Sequence, residues 1–209
     1  MPAPCSSKPK NFTQPNSSWG SEMMRLYEHY DSQCEVETEG GQKQEGPWQK
    51  MPIYQDMLKE ASGGLILCEL FQSKEGIFTQ NGGEQGTAFE YVLFANIKEQ
   101  KCVCLFQPGH RLEGTPGFIH GGAVATMVDT ITALHSTFFY GLAVTANLNI
   151  NYRRPIPMGS TLLLESSLDK KEGKKIFLSC KMTSSDGSRV HTEATALFLS
   201  MSLSKRLNV

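Results

Sequence analysis

What this chain lacks narrows its chemistry before any motif is read. It lacks net charge, because 20 lysines and arginines stand against 21 aspartates and glutamates. No whole-protein field draws it to nucleic acid or to an anionic membrane, so an anionic ligand has to be caught locally. It lacks long apolar runs. Stretches such as LFLSMSL fall far below the roughly 20 residues of a membrane span. It also lacks paired cysteines. Apart from Cys102 and Cys104 in CVC, the cysteines (Cys5, Cys34, Cys68, Cys180) are scattered singly, with no C-x-x-C and no Cys/His spacing of a zinc site. They read as reduced, mostly buried thiols of an intracellular protein. The sequons at Asn11 and Asn16 follow no secretory signal and read as chance matches. The opening MPAPCSSKPK has no Arg-rich amphipathic stretch of a transit peptide.

What is present suffices for one core: 209 residues, 39% of them hydrophobic, predict one domain with a small appendage. Residues 1–64 are polar and show no strand-like pattern. They read as an N-terminal helical extension and linker: an amphipathic helix in SEMMRLYEHYDSQ capped by Ser21, the linker CEVETEGGQKQEGP, and a second helix in PIYQDMLKEA ending at Ser62-Gly63-Gly64. Residues 65–209 have the texture of the main domain. Short β segments (LILCELFQ, GIFTQ, TAFEYVLFAN, KCVCLFQP) precede one long helical pattern at about 119–139. Four more strands follow (AVTANLNINYRR, STLLLESSLDK, KKIFLSCKMTSS, RVHTEATALFLSMS), joined by the tight turns PMG, KEGK and SDG. Strands, one buried helix and a strand meander predict an α+β fold, an antiparallel β-sheet wrapped around one central helix.

The stretch GFIHGGAVATMVDT carries the chemistry. Ala123, Val124, Met127, Val128 and Ile131 make the helix apolar on nearly every side, yet Asp129 sits among them. A carboxylate there is either used in a site or paired at a subunit seam, and periodicity leaves both open. Gly121 and Gly122 stand where the helix begins, with free N–H groups at the positive end of the helix dipole. Without a Cβ they admit a ligand carbonyl closely, as an oxyanion hole would, or they simply make a tight turn.

HGGAVATMVD followed by VTANLNINYRRPIP resembles the hotdog-fold acyl-CoA thioesterases, in their mitochondrial branch, over most of the chain including WGSEMMRLYEHY. The resemblance implies a hotdog fold, hydrolysis of long-chain fatty acyl-CoA to free acid and coenzyme A without a metal or redox cofactor, and the mitochondrial matrix. By position it implies that Gly121 supplies the oxyanion N–H, His120 orients the loop, Asp129 acts as base or nucleophile, and Thr145 positions the water. It also implies a homodimer or a dimer of such dimers. Related enzymes place an asparagine six residues before the motif histidine, where this chain has Gly114. Two rivals remain: a hotdog enoyl-CoA hydratase or dehydratase, and a non-catalytic regulatory module binding a kinase or a lipid.

Helix geometry adds an independent expectation. Gly121 and Asp129 are eight residues apart, about 12 Å at ~1.5 Å per residue, so one chain cannot bring both to one thioester carbon. Two antiparallel helices across a two-fold axis would, giving two shared sites. In VTANLNINY the polar Thr145, Asn147, Asn149 and Asn151 alternate with apolar residues, which predicts one polar strand face. Thr145 is expected to face the ligand, Asn147 and Asn149 the solvent, and Asn151 the basic turn, where it would bind substrate. Arg153 and Arg154 in YRRP, and Lys174 and Lys175 in EGKK, suit a phosphate-bearing handle or are ordinary surface. With the resemblance, Arg153 or the Lys174–Lys175 pair is expected to hold coenzyme A phosphates, with Gly122 also at the substrate. His135 and His191 are expected to be structural.

Overall fold

The computed structural model describes residues 14–37, 42–52 and 85–201. The expected helix PIYQDMLKEA, the strands LILCELFQ and GIFTQ, Cys5, Cys68 and Asn11 lie outside the described residues. In chain order the elements are α1 (Ser21–Asp31), β1 (Glu35–Glu37), β2 (Lys43–Glu45), β3 (Trp48–Lys50), β4 (Phe89–Asn96), β5 (Lys101–Pro108), a 3₁₀ turn (His110–Leu112), α2 (Gly121–Tyr140), β6 (Ala143–Tyr152), β7 (Leu162–Glu172), β8 (Lys175–Ser184) and β9 (Val190–Ser200). Among the described residues, β3 to β9 form one antiparallel sheet of order β3-β4-β5-β7-β8-β9-β6.

α2 lies across one face of this sheet. Its Val124, Met127, Val128, Ile131 and Leu134 pack into a core with Leu93, Cys104, Phe106, Leu162, Leu164 and Met182. It stops at Gly141, whose φ of 80° is a conformation that suits glycine and whose N–H returns to the Thr137 carbonyl at 3.0 Å. The chain then enters β6, which crosses to the far edge of the sheet and pairs with the last strand, β9.

The opposite face of β4 and β5 is covered by α1, through Trp19, Met23, Leu26 and Tyr27 against Val92, Phe94, Val103 and Leu105. This explains why FEYVLFAN and KCVCLFQP are continuous apolar runs: strands buried on both faces do not alternate. β7, whose outer side has only Leu163 against the α1 cluster, does alternate in burial over Leu162–Ser167. Ser21 does not cap α1. Gly20 takes the cap position with no side-chain cap bond, and its N–H donates instead to Gln107 Oε1 at 2.7 Å. Buried Glu90 fastens the segment before α1, accepting from Trp19 Nε1 at 3.0 Å and Asn16 Nδ2 at 2.9 Å, so the Asn16 amide is engaged within the fold.

The expected linker is partly strand. β1 and β2 pair as a hairpin, and Trp48–Lys50 joins the main sheet beside β4, so the sheet begins inside the segment read as an extension. Lys50 Nζ meets Asp31 Oδ1 at 2.8 Å and also the Tyr27 hydroxyl, tying β3 to α1. Cys102, Cys104 and Cys180 are free and buried, and burial pushes the Cys180 thiol up to about 12. No helix among the described residues is long and apolar enough to cross a membrane.

Candidate active site

The loop leading to α2 is held by backbone pairing that delivers His120 to the helix start. Its N–H reaches the Leu112 carbonyl at 2.8 Å, and the Ile119 N–H reaches the Ile156 carbonyl at 2.9 Å. His120 is the N-cap, extended at φ −64° and ψ 133°, and its Nδ1 accepts the Gly122 N–H at 2.9 Å. An accepting Nδ1 places the ring proton of the neutral imidazole on Nε2. The His120 carbonyl accepts from Ala123 and Val124, closing the first turn.

The two glycines therefore differ. The Gly122 N–H is occupied by His120, and a Cβ at Gly122 would lie 2.9 Å from Nδ1, so this glycine serves the cap. The Gly122 N–H, expected at the substrate, is therefore engaged within the chain. The Gly121 N–H has no partner among the described residues. A Cβ at Gly121 would meet only the Tyr152 ring, at 3.7 to 3.9 Å, an ordinary contact. Packing among the described residues does not require glycine there. A Cβ at Gly114 would sit 2.8 Å from His120 Cα, so a larger residue there would require the backbone to shift.

Two turns further on, Asp129 is half-buried rather than enclosed. Its Oδ1 accepts from the Thr145 hydroxyl at 2.9 Å, while Oδ2 has no partner among the described residues. The Thr145 hydroxyl thus orients the carboxylate.

The structure corrects the strand reading here. The β6–β9 register slips between Thr145 and Asn147, leaving Ala146 as an extra residue. Thr145 pairs with buried Phe198 and faces α2, together with Leu148 opposite Ala196 and Ile150 opposite Ala194. Asn147, Asn149 and Asn151 point to the other face. The bulge re-aims one side chain and detaches Thr145 from the asparagine row.

Asn151 and Arg153 fall away from the α2 side. They line an outer-face groove of about 470 Å³, shared with Lys101, Glu165, Lys181 and Glu193, and Arg153 Nε is bound to Glu193 Oε2 at 2.8 Å. Within one chain the structure therefore does not bring Asn151 or Arg153 to Gly121 or Asp129. Arg154 donates to the Val190 carbonyl at 3.0 Å. Lys174 and Lys175 are exposed at the β7–β8 hairpin, at the sheet end that also carries Thr145: Ile176, Phe198 and Thr145 occupy one register row.

His135 is wholly buried, with Nδ1 against Ser166 Oγ at 2.9 Å, and burial lowers it to about 4. His191 Nδ1 meets the Pro155 carbonyl at 3.2 Å and fixes the turn after β6. Sequence reasoning passed over Tyr152, the end of NINY, whose hydroxyl donates to the Gly121 carbonyl at 3.0 Å. Nothing local in the sequence signals that contact.

A free N–H at a histidine-capped helix start, a threonine-oriented carboxylate on the same helix and a sheet wrapped on that helix define the thioesterase class of the hotdog fold. A model of the thioesterase superfamily matches residues 116–191, from the loop through α2 and β6 to the start of β9. A solved thioesterase superfamily protein aligns with 53% of this chain and 53% of its own, at a TM-score of 0.49 and 25% identity. The acyl-coenzyme A thioesterase THEM4 of Xenopus laevis is 38% identical over 193 residues, which cover 92% of this chain and 82% of that protein. Human THEM5, also an acyl-coenzyme A thioesterase, is 35% identical over 199 residues, or 93% and 76%. The chain belongs to this THEM4 and THEM5 family of acyl-coenzyme A thioesterases.

Proposed function

We propose that this protein hydrolyses long-chain fatty acyl-CoA to the free acid and coenzyme A, as a homodimer whose two sites each draw on both chains. The carrying observation is the pair on α2: an unpartnered Gly121 N–H and an Asp129 carboxylate eight residues away, about 12 Å along one helix. A dimer is supported by β6, a ten-residue edge strand whose outer side has no strand partner among the described residues, with Val144 47% and Tyr152 55% exposed. Long unguarded edges invite pairing with another strand. Tyr152 lies beside Gly121 and Thr145 beside Asp129, so antiparallel pairing of two β6 strands carries the start of one α2 toward Asp129 of the other.

In the proposed reaction the Gly121 N–H binds the thioester oxygen as charge develops on it, a contribution of about 10²–10³ in rate. Asp129 of the partner subunit, oriented by its own Thr145, either takes a proton from the water that attacks the carbonyl carbon or attacks that carbon itself to form an anhydride that water then opens; on both routes the C–S bond breaks and coenzyme A leaves as a thiolate that takes up the proton lost by water. His120 is spent on the helix cap, which speaks against the histidine-assisted hydratase reading. The same antiparallel arrangement sets one chain's Arg153 end beside the partner's Lys174–Lys175 end, which supports a phosphate handle held by groups of both chains. The place of action is the mitochondrial matrix and the setting fatty acid metabolism, as the family resemblance implies.

Turnover on a panel of acyl-CoA chain lengths, with Asp129→Asn as control, tests the proposal. Long-chain substrates should be favoured and the variant silent; an intact protein that turns over none of them would refute it. Single turnover in oxygen-18 water tests the second route, because an anhydride opened at the Asp129 carbonyl leaves label in that carboxylate, whereas water activated by Asp129 leaves it only in the fatty acid.

A further inference from the structure

Two adjacent glycines open α2, and glycine has more backbone freedom than any other residue unless its surroundings restrain it. Restraint comes here from two side chains outside the pair. His120 Nδ1 accepts the Gly122 N–H at 2.9 Å, and the Tyr152 hydroxyl donates to the Gly121 carbonyl at 3.0 Å. Those are the two polar edges of a single peptide group, the one joining Gly121 to Gly122, and in a trans peptide they point in opposite directions. The peptide is gripped from both sides. The Tyr152 ring adds a wall, with Cε1 and Cζ 3.7 and 3.8 Å from where a Cβ on Gly121 would be.

Burial does not account for Tyr152, which is 55% exposed at the end of the edge strand. Its hydroxyl could be satisfied by water, yet it is turned onto the helix start. We propose that Tyr152 is a positioning residue for the hydrolysis: it clamps the Gly121–Gly122 peptide to β6, keeps the first turn of α2 wound, and so holds the free Gly121 N–H aimed at the thioester oxygen. This rests on the function proposed above. The first residue of a helix has no intrahelical partner for its N–H and frays first. At a glycine no side chain resists that motion, so the clamp supplies the rigidity that the missing Cβ cannot. Because Tyr152 also closes the strand edge read as the dimer seam, strand pairing and the oxyanion donor share one residue.

Tyr152→Phe keeps the ring and removes the donor. kcat should fall about fivefold, the equivalent of one ordinary hydrogen bond. KM should stay within about twofold, because the lost contact is to the enzyme's own backbone and not to bound substrate. Amide exchange at Gly122, followed by NMR on glycine-labelled protein, should quicken while amides in the middle of α2 keep the parent's rates. A kcat equal to the parent's would overturn the inference whatever the exchange shows, and so would a lower melting temperature with unaltered kcat. If the parent itself turned over no acyl-CoA, the fault would lie with the proposed function. Gly122 exchange would then decide the clamp alone, and unchanged exchange would overturn it.

Discussion

Replacing Gly121 by proline removes the amide hydrogen assigned to the oxyanion and asks little else of the chain. Proline is favoured at the first helical position, where the N–H has no helix partner to lose. The residue before a proline must be extended, and His120 already is, at φ −64° and ψ 133°. A Cβ at 121 meets nothing nearer than the Tyr152 ring at 3.7 Å. The variant should therefore fold and dimerise, yet lose about 10²–10³ in kcat. Asp129→Asn is isosteric and retains an oxygen for the Thr145 hydroxyl, so it too should fold, with at least about a 100-fold loss. Each homodimer is then nearly silent. Refolded together in equal amounts, random pairing gives about half heterodimers. In a heterodimer one site receives both lesions, while the other combines an intact Gly121 with an intact Asp129. Activity should recover to about a quarter of the parent's, read as coenzyme A released from a long-chain acyl-CoA, with heterodimers counted by native mass spectrometry. No recovery despite abundant heterodimers would mean that both groups act within one chain and that the shared-site geometry is wrong. Parent-like turnover by Gly121→Pro would remove Gly121 from the mechanism.

Thr145→Ala should cost about fivefold in kcat, the worth of the single hydrogen bond that orients Asp129, whereas Thr145→Ser should be nearly silent; an equally silent alanine would reduce Thr145 to a strand residue. Reversing the charges of Lys174 and Lys175 should raise KM rather than lower kcat, with the effect shrinking in high salt, and an unchanged KM at low ionic strength would leave Arg153 as the phosphate candidate. His135 supplies a pH test. Burial lowers it to about 4 in the folded chain against an unfolded value near 6.5, so below pH 6.5 the unfolded chain takes up a proton that the folded one refuses. Its contribution is complete above about pH 6.5 and is lost as the pH falls through about 4, which amounts to about 2 kcal/mol between pH 7 and pH 5. Urea unfolding of the parent and of His135→Gln at both pH values should show a smaller loss in the variant; equal losses would mean that His135 does not carry the dependence.

Much of this protein was legible in its sequence because periodicity and helical rise are local quantities. The apolar period after HGG located α2 to within two residues at its start, and of the four strands after it three lie within the segments read for them, while β7 runs two residues past its own, to Glu172. The expectation that Gly121 and Asp129 of one chain do not meet at one thioester carbon needs only the rise per residue. Tertiary structure decided the rest. Which way a strand residue faces depends on register parity, and one extra residue, Ala146, inverted it, parting Thr145 from the asparagines that alternate with it in the sequence. Which glycine offers a free N–H depended on where the His120 ring turned, and Gly122 was lost to it. Trp48–Lys50 falls unassigned in the segment read as an extension because three residues carry no period, and only its pairing with β4 makes it a strand. The Tyr152 contact with Gly121 spans 31 residues and joins the end of a strand to the start of a helix, a meeting created by the path of the chain around the sheet and by no pattern within either segment.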